Sequence, residues 1–390
     1  MKILLLCDRF PYPLTNGQNL RIYHLVRQLG RRHAFDLLCY GDGDAPAEIR
    51  PLFARIEVFP RPPGVASTGV ARWLDAFRVD SFIPASEPVR RHLGEACIAR
   101  DYDVIWVSGW DMIVNLPQRF PVPVLADAVD DGVLEHWRRM RRTEGLFEKA
   151  RALKWVAMNA RFERRYFGAA QAALFVSELD ASVFRRISPR TPTHVVHNGV
   201  DCEYFRPLAT ERRPLNLVFE GNMGFAPNVD AARYFVREVM PALRRARAVT
   251  LTLVGNNPAP EVRALACEDV EVTGFVDDVR PYIDRAAMFV CPMRIGAGIK
   301  NKILQAWAMG KAVVATRQAV GGLAYRDGQN ILIADGTAAL ADGILRLLDD
   351  PDLSERIGAE GRRTVLASYT WDKKAAELEK VLIGTAGRRP

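Results

Sequence analysis

Short apolar runs bounded by turn residues alternate along this chain with stretches whose apolar residues recur three and four apart. Ile3–Cys7, Phe35–Cys39, Val104–Val107, Val122–Ala126 and Leu174–Val176 have the length and unbroken apolarity of strands buried on both faces of a parallel sheet. Between the first two, Ile22, Leu25, Val26 and Leu29 fall at helical spacing. The second half repeats the theme. Leu217–Phe219, Leu251–Val254, Val270–Val272, Met288–Cys291 and Val313–Ala315 read as strands, with helices such as Ala231–Val239 and Asn301–Met309 between them. Two βαβ series predict an α/β protein of two doubly wound, Rossmann-like domains, each sheet open at its strand C-termini. The turn- and charge-rich stretch Asn198–Pro214 reads as the linker. The expected division is 1–200, 201–370 and a terminal segment 371–390. Trp371, Ala375, Leu378 and Leu382 give that last segment the apolar stripe of an amphipathic helix, expected to pack back on the N-terminal domain.

A length of 390 residues fits two domains of ordinary size, and 49% apolar content is ample for two cores. The opening MKILLLCDRF is too short for a signal sequence or membrane span and runs into Pro11 and Pro13, so a cytoplasmic protein beginning with a buried strand is expected. Six cysteines without a C-x-x-C pair read as buried free thiols. The net charge of +8 is unevenly spread, with ten Lys/Arg against five acids between Asp131 and Phe167. A solvated helix face is the plain reading of that run. A face near anionic lipid, with peripheral association at the inner membrane, is the sharper one. Nucleic acid is not expected, because no helix-turn-helix, finger or RNA-binding signature accompanies the charge.

The chemistry concentrates at strand ends. In MRIGAGIKNKILQAWAMG, Met293–Gly310, Gly296 and Gly298 allow a ligand close to the backbone. Lys300 and Lys302 put two cations at a helix N-terminus, where an anion is already favoured, so a phosphate-bearing ligand is expected there. In FEGNMGFAPN, Gly221 and Gly224 permit a second close-approach loop before a helix near Asn228. Gly17 ends the first βα loop and offers a weaker anion site. ADAVDD, Ala126–Asp131, crowds three carboxylates at a strand end, where they serve either as acid–base groups or as a helix cap with exposed acids. His197 in VVHNGVD reads as an interdomain structural residue. No P-loop, no G-x-G-x-x-G after the first strand and no H-E-x-x-H occurs. Metal ligands at site spacing are likewise not found, so no metal is expected.

These blocks together resemble the family-4 retaining glycosyltransferases of the GT-B fold, across essentially the whole chain. PYPLTNGQNLRIYHLVRQL resembles the family's N-terminal glycine loop and first helix, VVHNGVDCEYFRP its interdomain segment, FEGNMGFAPNVDAARYF the first strand and loop of its donor domain, and VCPMRIGAGIKNKILQAWAMGKAVVAT with Gly322–Leu323 its nucleotide-sugar loop. DAVDDGVLEHW and the R-x-G-x-G-I-x-N-K pattern look most like bacterial enzymes of exopolysaccharide or lipid-linked sugar assembly.

The resemblance implies an acceptor-side domain followed by a donor domain, facing each other across a cleft. It implies transfer of a sugar, with retention, from a nucleotide-diphosphate sugar to a saccharide or lipid-linked acceptor. The nucleotide-sugar is a substrate, and no metal or other cofactor is implied. Cations neutralise the leaving diphosphate, a role carried to Lys300 and Lys302 with Arg294 in support and Asn301 between them. Gly221, Asn222 and Met223 would line the diphosphate, Phe275 and Val276 the base, and Gly17 the phosphates from across the cleft. Asp127 or Asp130 stands where the family often touches donor sugar or acceptor. One departure is evident. Many members carry Glu-x7-Glu where this chain has Ala297 and Gln305, of which Gln305 can still bond a ribose hydroxyl. That loss keeps two alternatives open: a nucleotide-sugar-binding protein with little turnover, and a nucleotide-sugar 2-epimerase.

Overall fold

The computed structural model describes residues 1–63, 83–100, 102–117, 120–142, 145–296 and 299–388. The chain forms two compact units, Met1–His197 with Trp371–Pro390, and Asn198–Thr370.

The first unit holds a seven-stranded parallel sheet of β1 (Lys2–Cys7), β2 (Ala34–Tyr40), β3 (Arg55–Phe59), β4 (Val104–Ser108), β5 (Val124–Val129), β6 (Ala172–Phe175) and β7 (Thr193–Val195). Its order is β3-β2-β1-β4-β5-β6-β7. β1 pairs in register with β2 on one side and β4 on the other, Leu5 opposite Leu37 and Trp106. Ile3, Leu5, Leu37, Val104 and Trp106 pack on one face with Ile22, Leu25 and Leu29 of helix Gly17–Leu29. Helix Trp371–Ala386 closes the same cluster through Trp371, Ala375, Leu378 and Leu382. Its Trp371 stacks on His24 at 5.0 Å, and its Glu379 accepts from His33 Nε2 at 2.6 Å.

The second unit holds a six-stranded sheet of β8 (Arg213–Glu220), β9 (Thr250–Val254), β10 (Val270–Gly274), β11 (Ala286–Cys291), β12 (Val313–Ala315) and β13 (Leu332–Ile333). Its order is β10-β9-β8-β11-β12-β13 and its described pairs are parallel. Both sheets reverse direction of winding beside their first strand, β1 or β8, and a ligand crevice opens outside the C-terminal ends of such strands.

Three strands were not expected: β3 and β7, which carry no apolar run, and β13, a two-residue strand within the short apolar stretch Ile331–Ala334. Each is an edge strand, so one flank lacks a neighbour, and the residues of β3 and β7 stay partly exposed, as in the Arg–Ile–Glu–Val–Phe sequence of β3. β5 runs past the expected Ala126 to Val129, carrying Asp127 inside the sheet. The helix expected over Ala231–Val239 is Ala226–Tyr234 followed by a π-helical turn, Phe235–Val239. Cys7, Cys39 and Cys291 are buried thiols, whereas Cys267 is exposed and donates to Asp269 at 3.1 Å.

Candidate functional site

In the second unit the loops after β8, β9, β10 and β11 share the C-terminal edge of one sheet. The β11 loop ends at helix Asn301–Ala308, whose N-cap, Lys300, makes no side-chain cap bond and whose first turn holds no acid. Free N–H groups and the dipole therefore present partial positive charge, and two lysines add to it. Lys300 is buried, and its Nζ would lie 3.2 Å from a Cβ placed on Gly296, so the side chain folds back over the glycine. Asn301 Oδ1 accepts from Asn198 Nδ2 at 3.2 Å, which ties the N-G-V-D segment to the helix start.

Lys302 reaches across to the β8 loop. Its Nζ donates to the Glu220 carbonyl at 2.6 Å and to Asn228 Oδ1 at 3.0 Å, and lies 4.4 Å over the Phe219 ring. Asn228 is buried and donates its own amide to the Asn222 carbonyl at 2.8 Å. A Cβ on Gly221 would come within 2.6 Å of the Lys302 ammonium, and one on Gly255 within 1.8 Å of the Gly221 carbonyl. Glycine is thus required on both loops for the lysine to reach its place. Burial lowers the pKa of Lys302, and nearby Glu220 opposes that shift. Burial likewise raises the Glu220 carboxyl, with Lys302 pulling it back. The Cys291 thiol beneath is pushed up to about 11 by burial and stays protonated. A dianionic ligand beside this lysine would move its pKa back upward.

The other residues expected in the donor site fall around this cluster. Asn222 is exposed and caps its own loop by accepting from Gly224 N at 3.0 Å. The Met223 side chain is buried in the core, so only its backbone lies in the loop, its N–H donating to Asn256 O at 2.9 Å. Phe275, after β10, is 73% exposed, a bare ring suited to stacking, and Val276 beside it packs against the core. Gln305 is half-buried on helix Asn301–Ala308. Arg294 is held by Asp230 through two bonds, at 3.1 and 2.7 Å, and lies over the Tyr234 ring. Much of its charge is therefore answered already. Ala297 and Gly298 lie outside the described residues.

Four residues here were not singled out from the sequence: Glu220, Asn228, Gly255 and the 57% exposed Phe225. Phe225 stands in the same loop as Gly221, and its placement in FEGNMGFAPN was the available signal.

In the first unit, Gly17 is the exposed first residue of helix Gly17–Leu29, whose N-cap Asn16 accepts from Asn19 N at 2.9 Å. The catalytic reading of Asp127 is corrected by its surroundings. Asp127 is fully buried, with Oδ2 accepting from Arg21 Nε at 3.2 Å and Trp106 Nε1 at 3.3 Å, and Oδ1 from Val129 N at 3.2 Å. Arg21 is equally buried and also donates to the Val196 carbonyl at 2.8 Å. Both oxygens of Asp127 are thus committed, Oδ2 to an internal ion pair that knits β5 to helix Gly17–Leu29 and Oδ1 to the Val129 backbone. Asp130 is half-exposed just beyond the strand end. It follows Val129, a β-branched residue at φ +63°, a strained conformation of the kind that clusters at functional sites.

Asp131 is the N-cap of helix Gly132–Arg142 and accepts from Leu134 N at 2.7 Å. Its burial pushes its pKa up to about 6. Glu163, also buried, accepts from Gly132 N at 3.0 Å, and burial followed by the Asp131 charge raises it well above the usual carboxylate range. Asp131 Oδ2 and Glu163 Oε2 receive no N–H or hydroxyl from the described residues, and a proton held between the two carboxyls satisfies both. His197 donates its Nδ1–H to the Val176 carbonyl at 2.6 Å, and burial lowers its pKa, so it stands as a neutral structural ring.

Comparison with known proteins agrees with this architecture. Residues 15–204 match the model described as Glycosyltransferase Family 4, and residues 214–350 that of Glycosyl transferases group 1. The chain belongs to the family-4 glycosyltransferases. A GDP-mannose-dependent alpha-(1-6)-phosphatidylinositol monomannoside mannosyltransferase of Mycobacterium tuberculosis is 29% identical over 58% of this chain and 65% of its own length. The match thus spans just under two thirds of that relative. An alpha-maltose-1-phosphate synthase of the same organism is 24% identical over 95% of this chain and 96% of its own. Among solved structures, sucrose-phosphate synthase from Thermosynechococcus elongatus superposes with a TM-score of 0.70 at 18% identity, over 98% of both chains. Anabaena HepE, in complex with UDP and glucose, superposes at 0.67 and 16% identity, over 97% of this chain and 99% of its own. The fold is that of the GT-B glycosyltransferases, two Rossmann-like domains. No described helix is long and apolar enough to cross a membrane.

Proposed function

We propose that this glycosyltransferase moves a sugar from a nucleotide-diphosphate donor, with retention and without a metal ion, to a saccharide or lipid-linked acceptor. The observation that carries the reading is the uncapped N-terminus of helix Asn301–Ala308 with Lys300 and Lys302 converging on it. As the bond from the anomeric carbon to the diphosphate oxygen breaks, negative charge gathers on the leaving diphosphate. Preorganised ammonium and backbone N–H groups at that point stabilise the transition state more than the ground state. The lysines supply the positive charge for which other sites use a divalent cation. Backbone groups of Gly221, Asn222, Met223 and Gly296 line the phosphates, the exposed Phe275 stacks on the base beside Val276, and Gln305 meets a ribose hydroxyl. Within the first unit, Asp130 orients the acceptor hydroxyl or takes its proton, and Gly17 offers its backbone N–H to an anion. Arg294 acts only in support, since Asp230 holds it.

The relatives lend chemistry in the same direction. One is named for GDP-mannose and for a lipid-anchored mannoside, and the Anabaena structure holds UDP with glucose. A lipid-linked acceptor would bring the protein to a membrane surface as a peripheral protein. The test is incubation with UDP-, GDP-, ADP- and dTDP-sugars, with membrane extract as acceptor, following nucleoside diphosphate release and the anomeric configuration of product by NMR. Release with one donor, product of unchanged configuration and indifference to EDTA are expected. Silence across the panel, inverted product or loss of activity in EDTA would each contradict the corresponding part.

A further inference from the structure

The basic segment between Asp131 and Phe167 folds as two mutually packed helices, Gly132–Arg142 and Leu146–Tyr166, rooted between the C-terminal end of β5 and the start of β6. The second helix is about 30 Å long by its 21 residues, yet its buried residues, Asn159, Phe162 and Glu163, all lie in its C-terminal half. Its first half stands clear of the core. There Leu146, Ala150, Leu153 and Ala157 follow one another at helical spacing on the face turned away from that buried edge, and all four are exposed. Leu146 is 89% exposed, its neighbour Phe147 79% and Leu153 52%. Trp137 on the first helix adds indole surface at 45%, whereas Trp155 turns the other way and stacks on His136 of that helix at 5.9 Å. Single exposed apolar residues are ordinary, but a clustered apolar face marks a contact surface.

The charge around this face says what kind of contact. Lys149, Arg151, Lys154, Arg161, Arg164 and Arg165 share the second helix with only two acids. One of these, Glu148, is paired with Arg151 at 2.9 Å, and the other, Glu163, is buried. A second copy of the chain seated here about a twofold axis would set cations against cations. Nucleic acid would find the phosphate partners but no use for exposed leucines and phenylalanine. Apolar side chains amid long basic ones match the boundary between acyl chains and anionic headgroups, where lysine and arginine reach outward and indole rings sit at the interface.

We propose that this helical hairpin docks the enzyme on an anionic lipid bilayer, with Leu146, Phe147 and Leu153 entering the interface. The inference names the surface for the membrane acceptor of the proposed function and rests on that reading for its purpose, not for the docking itself. The hairpin springs from the strand end that carries Asp130, so a bilayer held on it brings headgroup-level hydroxyls to that edge of the first unit.

Flotation of the full chain with phosphatidylglycerol-containing vesicles, against pure phosphatidylcholine vesicles, tests it. Most of the protein should float with the anionic vesicles at low salt, several-fold less with the neutral ones, and the combined L146E/F147E/L153E variant should bind about tenfold more weakly. That variant should keep the wild-type melting midpoint and nucleoside diphosphate affinity, since all three side chains are exposed. Wild-type protein that stays unbound, a variant that floats as well as wild type, or a wild-type dimer that the variant converts to monomer would overturn the proposal. Flotation with a silent donor panel would sink the proposed function and leave the docking standing.

Discussion

Lys302 and Glu220 are joined through the backbone: the ammonium donates to the carbonyl that ends β8, at 2.6 Å, across 82 residues of sequence. The contact fixes a cation between the two glycine loops, and the Asn228 amide oxygen holds it from the other side at 3.0 Å. Lys302→Ala should lower turnover roughly a hundredfold or more, the scale of losing one preorganised electrostatic contact. Steady-state rates with folding checked by circular dichroism decide it, and unchanged turnover would place the diphosphate elsewhere.

Asn228 acts through that lysine. Asn228→Ala should lower kcat several-fold while changing KM for the donor less, because the ammonium survives but is held by one partner instead of two. An equal loss in Lys302→Ala and in the Lys302→Ala/Asn228→Ala double variant would confirm that the two act as a unit. Additive losses would mean that Asn228 contacts the donor directly.

Gln305 stands where many relatives of this family place a glutamate. Gln305→Glu adds a negative charge on a half-buried helix position near the proposed ribose. Nucleoside diphosphate affinity, read by calorimetry, should change by about threefold or more in either direction, about 0.7 kcal/mol, with the melting midpoint unchanged. Identical affinity would remove Gln305 from the site.

Asp127 and Asp130 separate by burial. Asp127→Asn leaves the Arg21 guanidinium in the core without its anion, a change that costs about 3–5 kcal/mol. The melting midpoint of the first unit should fall by about 10 °C. Asp130→Ala should instead slow transfer and leave nucleotide affinity as it was. A stable Asp127→Asn protein without activity would return the catalytic assignment to Asp127.

The paired carboxyls of Asp131 and Glu163 set a pH dependence. Burial raises both in the folded protein, so the folded state binds protons more tightly than the unfolded chain. Stability from this pair is full below the ordinary carboxylate range, near pH 4, and declines as pH rises through about 6 and beyond. Asp180, whose Oδ1 accepts from Asp131 N at 3.2 Å, adds a further negative charge to the pair's surroundings. Glu163→Gln needs no proton and should flatten the decline, giving a higher midpoint than wild type at pH 8 than at pH 5, relative to each other. Urea midpoints at the two pH values measure it, and parallel curves for both proteins would contradict the shared proton.

How much of this was legible in the residues follows from where the partners lie. Central strands such as β1, β4, β8 and β11 are covered on both faces and announce themselves as apolar runs. The edge strands β3 and β7 do not, because half their surroundings are solvent, and β13 is only two residues long. Lys302 was visible because a cation at a helix N-terminus is locally unfavourable and asks for an anion. Asn228 and Glu220 were not, since their role exists only once Lys302 crosses from another strand's loop. Asp127 misled for the same reason: three acids in the short segment ADAVDD resemble a catalytic cluster until Arg21, 106 positions away, is seen to hold one of them.

The central claim is that a nucleoside diphosphate sits on the N-terminus of helix Asn301–Ala308 between Lys300 and Lys302. Calorimetric titration of UDP, GDP, ADP and dTDP into wild type, and into a Lys300→Ala/Lys302→Ala variant of unchanged melting midpoint, tests it without metal, acceptor or turnover. One diphosphate should bind wild type and lose at least roughly a hundredfold in affinity, about 2.7 kcal/mol, in the variant. Equal binding by both proteins, or no binding to wild type by any of the four, would contradict it.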